Sequence, residues 1–161
     1  MARGELRGPN GCCLGADGRH LYVALTAAGR VVRLERRPDG TLGEPEPYGP
    51  VLGDVAPNAM AADIRALPPE ARARLGYPDG IAFDALGNLW VTLPFSNRLV
   101  AITPDRAVVD VLADPAGTVL SMPTNLAWGG ADMRDLYVVS RGNGCLLRAR
   151  SPVAGLPLTF H

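Results

Sequence analysis

Apolar residues occur along this chain in short runs separated by polar, Gly-rich turns, and three stretches of sequence repeat the same order of runs. Each stretch has a Pro-led loop, a short apolar strand, a polar turn, a Leu-aromatic-Val strand, a second turn and a third strand. The stretches begin at Pro9, Pro78 and Pro123. Short apolar runs bounded by turn residues are typical of β-strands. The pattern therefore predicts three antiparallel sheets in succession.

The Leu-aromatic-Val strands are the clearest part of the repeat. They cover residues 21–25, 89–93 and 136–140. The first of them is continuously apolar, which is typical of a strand that is covered on both faces. A fourth strand fits residues 108–113 in the second stretch and, less clearly, residues 46–52 in the first.

The spacing of the repeats indicates a β-propeller with an insertion. Pro78 and Pro123 are 45 positions apart, which is the size of a four-stranded propeller blade. Pro9 and Pro78 are 69 positions apart, so the first interval is 24 residues longer. Residues 57–76 account for this excess and are rich in good helix formers. They predict one or two short helices inserted just before Pro78.

We therefore predict an all-β fold in one domain over residues 1–161. It is a partial β-propeller of three four-stranded blades at about residues 9–56, 77–115 and 121–161, with a short helical insertion at 57–76. Propellers close with roughly four to eight blades, and three blades leave apolar faces that a monomer rarely exposes. Three alternatives follow: half of a longer gene product, two copies that close a ring by two-fold symmetry, or an open stack that folds poorly alone.

Composition narrows the class of partner. The 161 residues include 16 Arg and no Lys, balanced by 16 acidic residues, so charge gives no reason to expect nucleic acid or an anionic membrane as a partner. No apolar run approaches the roughly 18 residues of a membrane span, and no apolar signal segment is visible. Cys12, Cys13 and Cys145 cannot form a disulfide framework. We expect a cytoplasmic protein without a membrane segment.

The Pro-led loops carry the candidate chemistry. Asn10 and Asp79 each follow the proline by one residue, and Thr124 takes that place in the third repeat. Loops that enter the innermost strands of a propeller face one channel mouth, so these side chains should meet there. Amide and carboxylate oxygens are ligands that suit Ca²⁺, Mg²⁺ or Mn²⁺, whereas a zinc site is usually built from Cys and His. Alternatively, Pro-Asn-Gly and Pro-Asp-Gly are ordinary turns. Asn125 and Asn58 are further candidates for lining the channel.

Several segments together resemble the senescence-marker-protein/gluconolactonase family, the relatives of regucalcin. They include the Pro-Asn-Gly and Pro-Asp-Gly loops with the strands that follow, and a C-terminal tail. The segments that carry the resemblance are residues 9–11, 17–24, 40–44, 78–91, 125–138 and 152–157. They span nearly the whole chain and correspond to the C-terminal three blades of a six-bladed propeller.

The resemblance implies an activity and a cofactor. Family members known as enzymes hydrolyse sugar lactones with a bound divalent cation. By resemblance, Asn10 and Asp79 are metal ligands, and Asp79 is also the catalytic general base. The identity of the cation, Ca²⁺, Mg²⁺, Mn²⁺ or Zn²⁺, stays open. The family's glutamate ligand and its substrate-gripping polar residues come from blades that this chain lacks. The insertion at 57–76, just before Asp79, is a candidate lid over the channel mouth.

The expected function is metal-dependent hydrolysis of a small sugar lactone or a related ester, at a site that is incomplete in one chain. A second copy that completes the propeller as a homodimer is the expected protein partner. The alternatives are a non-catalytic propeller module that binds another protein or a small ligand, and an inactive truncated fragment. Fold alone does not decide among these.

Overall fold

The computed structural model describes residues 6–56 and 61–157, and most of them belong to three antiparallel sheets that follow one another along the chain. The first sheet has the order β1-β2-β3-β4 and the second β5-β6-β7-β8. The third contains β9, β10 and β11, with β10 in the middle. The strands are β1 Pro9–Leu14, β2 His20–Leu25, β3 Arg30–Glu35, β4 Glu46–Tyr48, β5 Ile81–Phe83, β6 Leu89–Leu93, β7 Arg98–Ile102, β8 Val108–Ala113, β9 Pro123–Gly129, β10 Asp135–Ser140 and β11 Cys145–Arg150. The all-β prediction is confirmed.

The third sheet differs from the predicted four strands, because it has three within the described residues. After β11 the chain continues through Pro152, which lacks the N–H that a ladder needs. The tail then crosses to the second sheet, where the Leu156 N–H donates to the Phe83 carbonyl at 2.9 Å and the Ala85 N–H donates to the Ala154 carbonyl at 2.8 Å. Up to residue 157, where the described chain ends, the C-terminal segment therefore ties two sheets together and adds no strand.

The fourth strand of the first sheet is also shorter than the predicted residues 46–52. β4 ends at Tyr48, two residues before Pro50, which interrupts the ladder for the same reason as Pro152. Beyond it, the Leu52 N–H still donates to the Gly29 carbonyl at 2.8 Å. The outer edge of this sheet is thus held by single hydrogen bonds rather than by a long strand.

The sheets pack face to face, and the second sheet lies in the middle. Every residue of β6 is buried. Leu89, Val91 and Leu93 pack with Tyr22 and other residues of the first sheet. Trp90, on the opposite face of β6, packs in a cluster with β9 and β10. Alternation along one strand therefore builds two apolar interfaces, one on each side of the central sheet.

Two short helices lie in the region of the predicted insertion. They are α1 Ala61–Ala66 and α2 Pro69–Arg72. Ile64, Leu75 and Tyr77 form a small buried cluster against which Phe95 packs. The insertion is therefore anchored beside the second sheet by its own apolar contacts.

The β5–β6 turn is organised by one buried carboxylate. Asp84 is 1 % exposed. Its Oδ1 accepts hydrogen bonds from the N–H groups of Leu86 and Asn88, both at 2.9 Å, and its Oδ2 accepts from Asn88 Nδ2 at 2.8 Å and from Trp90 Nε1 at 2.9 Å. Both oxygens are thus fully engaged, and the carboxylate links the turn to a core tryptophan.

Replacement of Asp84 by Asn should lower the free energy of unfolding by about 2 kcal/mol, because an amide NH₂ would then face donors and leave them unpaired in a buried site. The matched control is Asp39→Asn. Asp39 is an exposed turn residue whose Oδ1 alone accepts from Thr41, so a change within about 0.5 kcal/mol is expected there. Urea unfolding of both variants measures the difference. Equal stability of the two variants would contradict the structural role of Asp84.

Candidate functional site

The first strands of the three sheets lie side by side, and the Pro-led loops meet at one end of them. Between the first two sheets the Gly11 N–H donates to the Asp79 carbonyl at 3.0 Å. A Cβ on Gly11 would lie 2.3 Å from that carbonyl oxygen, so a side chain cannot be accommodated there. The loop that carries Asn10 is therefore held against the loop that carries Asp79 by direct backbone contact.

The second and third sheets approach each other equally closely. A Cβ on Gly80 would lie 2.7 Å from the Thr124 carbonyl oxygen and 2.7 Å from the Asn125 Cα. Behind Gly80, the buried Thr92 hydroxyl accepts the Gly80 N–H at 2.8 Å. The glycine after Asp79 is thus fixed on both sides, by β6 and by the third sheet.

The structure brings the two principal candidate residues together. The Asn10 amide lies in hydrogen-bonding reach of the Asp79 carboxylate, and its Nδ2 also donates to Thr26 Oγ1 at 3.3 Å. Thr26 in turn donates from its hydroxyl to the Pro78 carbonyl at 2.7 Å. Thr26, at the end of β2, therefore connects the Asn10 side chain to the loop of Asp79.

The electrostatics of Asp79 reflect a half-buried acid. Burial raises the pKa of its carboxyl, while the positive charge of Arg141 and the hydrogen bond from Asn10 lower it. These effects oppose one another, because burial disfavours the charged form and the two neighbours favour it. Asp79 is thus a partly desolvated carboxyl with an exposed amide beside it.

The secondary candidates are placed less directly. Thr124 lies at the start of β9 against Gly80. The neighbouring Asn125 uses its Oδ1 to accept the N–H of Leu126 at 2.9 Å. Both residues belong to the same end of the first strands, but among residues 6–56 and 61–157 no hydrogen bond joins either side chain to Asp79. Asn58 lies outside the described residues.

The donor set fits a hard cation in part. The Asp79 carboxylate and Asn10 Oδ1 are the two oxygen donors that the loops offer, and no hydrogen bond among the described residues uses Asn10 Oδ1. Oxygen ligands of this kind suit Ca²⁺, Mg²⁺ or Mn²⁺. Residues 6–56 and 61–157 contain no group of three or more His, Cys, Asp or Glu side chains that could hold a metal. The described part of the chain therefore supplies a fraction of a coordination shell.

Three residues of the site were not among the candidates predicted from sequence. Thr26 and Thr92 position the loops, and Arg141 sets the charge near Asp79. Thr92 could have been recognised from the sequence, because it is a polar residue inside the apolar run of β6. Thr26 could not be found in this way, because its importance comes from contacts between different repeats. The Arg-Gly-Asn-Gly sequence at residues 141–144 is consistent with a loop that contacts an anion, but nothing in the sequence places Arg141 near Asp79.

The adjacent cysteines divide between the two faces of β1. Cys13 packs against the core between the first two sheets, and burial raises the pKa of its thiol to about 12. Cys12 is exposed, and neither is in a disulfide. The Cys13 thiol therefore stays protonated near neutral pH and is an unreactive core group.

Residues 1–142 match the family model described as SMP-30/gluconolactonase/LRE-like region. The chain belongs to this family. The resemblance found in the sequence is thereby confirmed.

Among curated relatives, the chain is 35 % identical over 89 residues to the 6-deoxy-6-sulfogluconolactonase of Pseudomonas putida, a match that covers 55 % of this chain and 28 % of the relative. Among solved structures it is similar to a gluconolactonase from Xanthomonas campestris, with a TM-score of 0.63 and 21 % identity over 92 % of this chain and 39 % of that one. It is also similar to a calcium-binding protein, regucalcin, from Agrobacterium tumefaciens, with a TM-score of 0.60 and 19 % identity over 91 % of this chain and 47 % of that one.

These comparisons confirm the partial propeller fold. The chain spans less than half the length of each of these three proteins. Within its described residues, no helix is both long and apolar enough to cross a membrane.

Replacement of Gly11 by Ala should separate β1 from the Asp79 loop, because the added Cβ would collide with backbone that cannot move aside. A loss of about 2 kcal/mol in the free energy of unfolding is expected. Gly43→Ala is the matched control, since its Cβ would lie 3.3 Å from the Glu35 Cβ and no closer than 3.6 Å to any backbone atom of Glu35. Chemical unfolding tests both variants. A Gly11→Ala protein as stable as the control would show that the loops are not locked together in solution.

Proposed function

We propose that this chain carries part of a metal-dependent active site that hydrolyses a sugar lactone or a related ester. The observation that carries the proposal is the juxtaposition of the Asn10 amide and the half-buried Asp79 carboxyl where the Pro-led loops meet. Family membership supports it, and so does the name of the Pseudomonas putida relative, which is a lactonase.

In the proposed reaction Asp79 acts as the general base. It takes a proton from a water molecule as the water oxygen bonds to the lactone carbonyl carbon. The bond from that carbon to the ring oxygen then breaks, and the ring oxygen takes up a proton to become a hydroxyl. The product is a hydroxy acid. A divalent cation held by Asn10 and Asp79 would polarise the carbonyl and make water more acidic.

The role of Asn10 is to orient the site. Its side chain is tied to Thr26 on one side and to Asp79 on the other. Thr26 is itself tied to the Pro78 carbonyl. The hydrogen bonds through Thr26 hold the Asn10 amide beside the Asp79 carboxyl, as an orienting group next to a base or ligand must be held.

Replacement of Asp79 by Ala should lower kcat/KM for hydrolysis of D-glucono-1,5-lactone by about 10²-fold to 10⁴-fold, because a general base contributes that much. It should also weaken Mn²⁺ binding, measured from the paramagnetic signal of the free ion. Chelation of the wild-type protein should remove activity, and added Mn²⁺ or Ca²⁺ should restore it.

The control for this experiment is Asp105→Ala, which removes an exposed carboxylate from the β7–β8 turn. It should leave both activity and metal binding unchanged. Equal Mn²⁺ binding by wild type and Asp79→Ala would exclude Asp79 as a ligand. Lactone hydrolysis that survives chelation would exclude the metal-dependent mechanism.

We further propose that a second copy of the chain completes the ring. The third sheet leaves Val139 and Leu146 of its outer face 39 % and 64 % exposed, although these residues pair across β10 and β11. Half-propellers related by a two-fold axis would bury such faces against each other. The second copy would then bring further polar groups to the shared channel.

Light scattering should give a mass near twice the 17.0 kDa of one chain. Introduction of a charge at the proposed interface, Leu146→Glu, should shift the mass to that of one chain. Leu86→Glu is the matched control, because Leu86 is 68 % exposed in the β5–β6 turn, away from this face. A wild-type mass near 17 kDa would overturn the dimer proposal.

A further inference from the structure

Arg141 stands directly after β10, in a turn that is fixed to the chain leading into β9. The Arg141 N–H donates to the Met122 carbonyl at 3.2 Å, and the Gly142 N–H donates to the Ser121 carbonyl at 2.9 Å. The buried Ser140 hydroxyl accepts the Ser121 N–H at 3.0 Å. The backbone that presents Arg141 is therefore held in place by three successive contacts.

This turn lies beside the loops that carry Asn10 and Asp79. Ser140 is paired with Pro123 across the sheet, and Thr124 follows Pro123. The Thr124 carbonyl in turn lies against Gly80, the residue after Asp79. A shallow depression of about 450 Å³ opens at this place. It is lined by the apolar side chains of Val139 and Leu146 and by Thr124, Ser140, Arg141 and residues 144–145.

The Arg141 guanidinium is exposed and has no hydrogen bond or ion pair within the part of the chain that the structure describes. Some other arginines are paired with carboxylates, such as Arg33 with Glu46, Arg98 with Asp110 and Arg150 with Asp132. Within the described residues, Arg141 therefore places beside the site a positively charged guanidinium whose hydrogen-bond donors have no partner.

The surroundings of Arg141 favour an anionic ligand group. A guanidinium binds carboxylate or phosphate oxygens through two parallel hydrogen bonds. Its field reaches Asp79, since it opposes the rise that burial causes in the pKa of that carboxyl. The chain as a whole has no net charge, so attraction of an anion to this place would be local rather than general.

We propose that Arg141 is a substrate-binding residue that selects lactones bearing an additional acidic group, such as a carboxylate or a phosphate, remote from the reacting carbonyl. The inference rests on the proposed lactonase function and names its substrate class. The acidic group lies next to Thr124, paired with the guanidinium. The lactone carbonyl then faces Asp79, and the two ends of the substrate are held by groups of opposite charge.

The first experiment compares the hydrolysis of D-glucono-1,5-lactone, which is neutral, with that of 6-phosphoglucono-1,5-lactone and D-glucaro-1,4-lactone, which carry a phosphate and a carboxylate. Arg141→Gln should lower kcat/KM about 10-fold or more for whichever charged lactone the protein prefers, because charge-assisted hydrogen bonds are lost. The neutral lactone should change less than about 2-fold. Arg141→Lys should recover part of the loss, and Arg36→Gln, an exposed arginine in the turn after β3, should change neither.

The second experiment needs no turnover. Calorimetric titration of wild type should show tighter binding of 6-phosphogluconate or D-glucarate than of D-gluconate, and Arg141→Gln should remove that preference. If no lactone is hydrolysed but the preference depends on Arg141, the hydrolase proposal fails and the anion site stands. If Arg141→Gln leaves the preference unchanged, or lowers activity equally on neutral and charged lactones, the assignment of Arg141 is overturned.

Discussion

The structure depends on the close approach of backbone to backbone where the first strands of neighbouring sheets meet. Gly11 touches the Asp79 carbonyl, and Gly80 touches Thr124 and Asn125, at distances that no Cβ could occupy. Apolar packing between sheets is non-directional and fixes only their general stacking. The glycine contacts are directional, because a hydrogen bond and a hard steric limit act on the same atoms. They set which residue of one loop faces which residue of the next, and so they place Asn10 beside Asp79.

The same contacts explain why the candidate site is half-buried without being enclosed. Each loop brings a backbone segment close to its neighbour, which excludes water from one side of Asp79 and leaves the exposed Asn10 amide on the other. The acid thus experiences desolvation, one neutral hydrogen-bond donor and the positive charge of Arg141. A carboxyl in this setting is already partly stripped of water and suited to bind a cation or to accept a proton.

Much of the fold could be predicted from sequence because the repeats keep the same offset from proline to strand. That regularity predicted the three sheets, and it predicted that the side chains of Asn10 and Asp79 would lie together at one end of them. It failed where one repeat interacts with another in a way that the repeat itself does not contain. The tail crosses from Pro152 to Phe83 and adds no strand to the third sheet within the described residues, and Arg141 reaches the site from a turn of the third sheet. Neither feature has a counterpart in the first two repeats, so no periodic pattern could reveal it.

The outer edge of the third sheet is a place where another extended chain could pair through backbone hydrogen bonds. Within the described residues no strand pairs with the outer edge of β11, so that edge offers free N–H and C=O groups to any extended chain. Arg148 and Arg150 lie on this strand and are bound to Asp135 of the neighbouring β10. An incoming strand would have to displace or desolvate these charged pairs. The edge therefore carries its own protection against edge-to-edge aggregation.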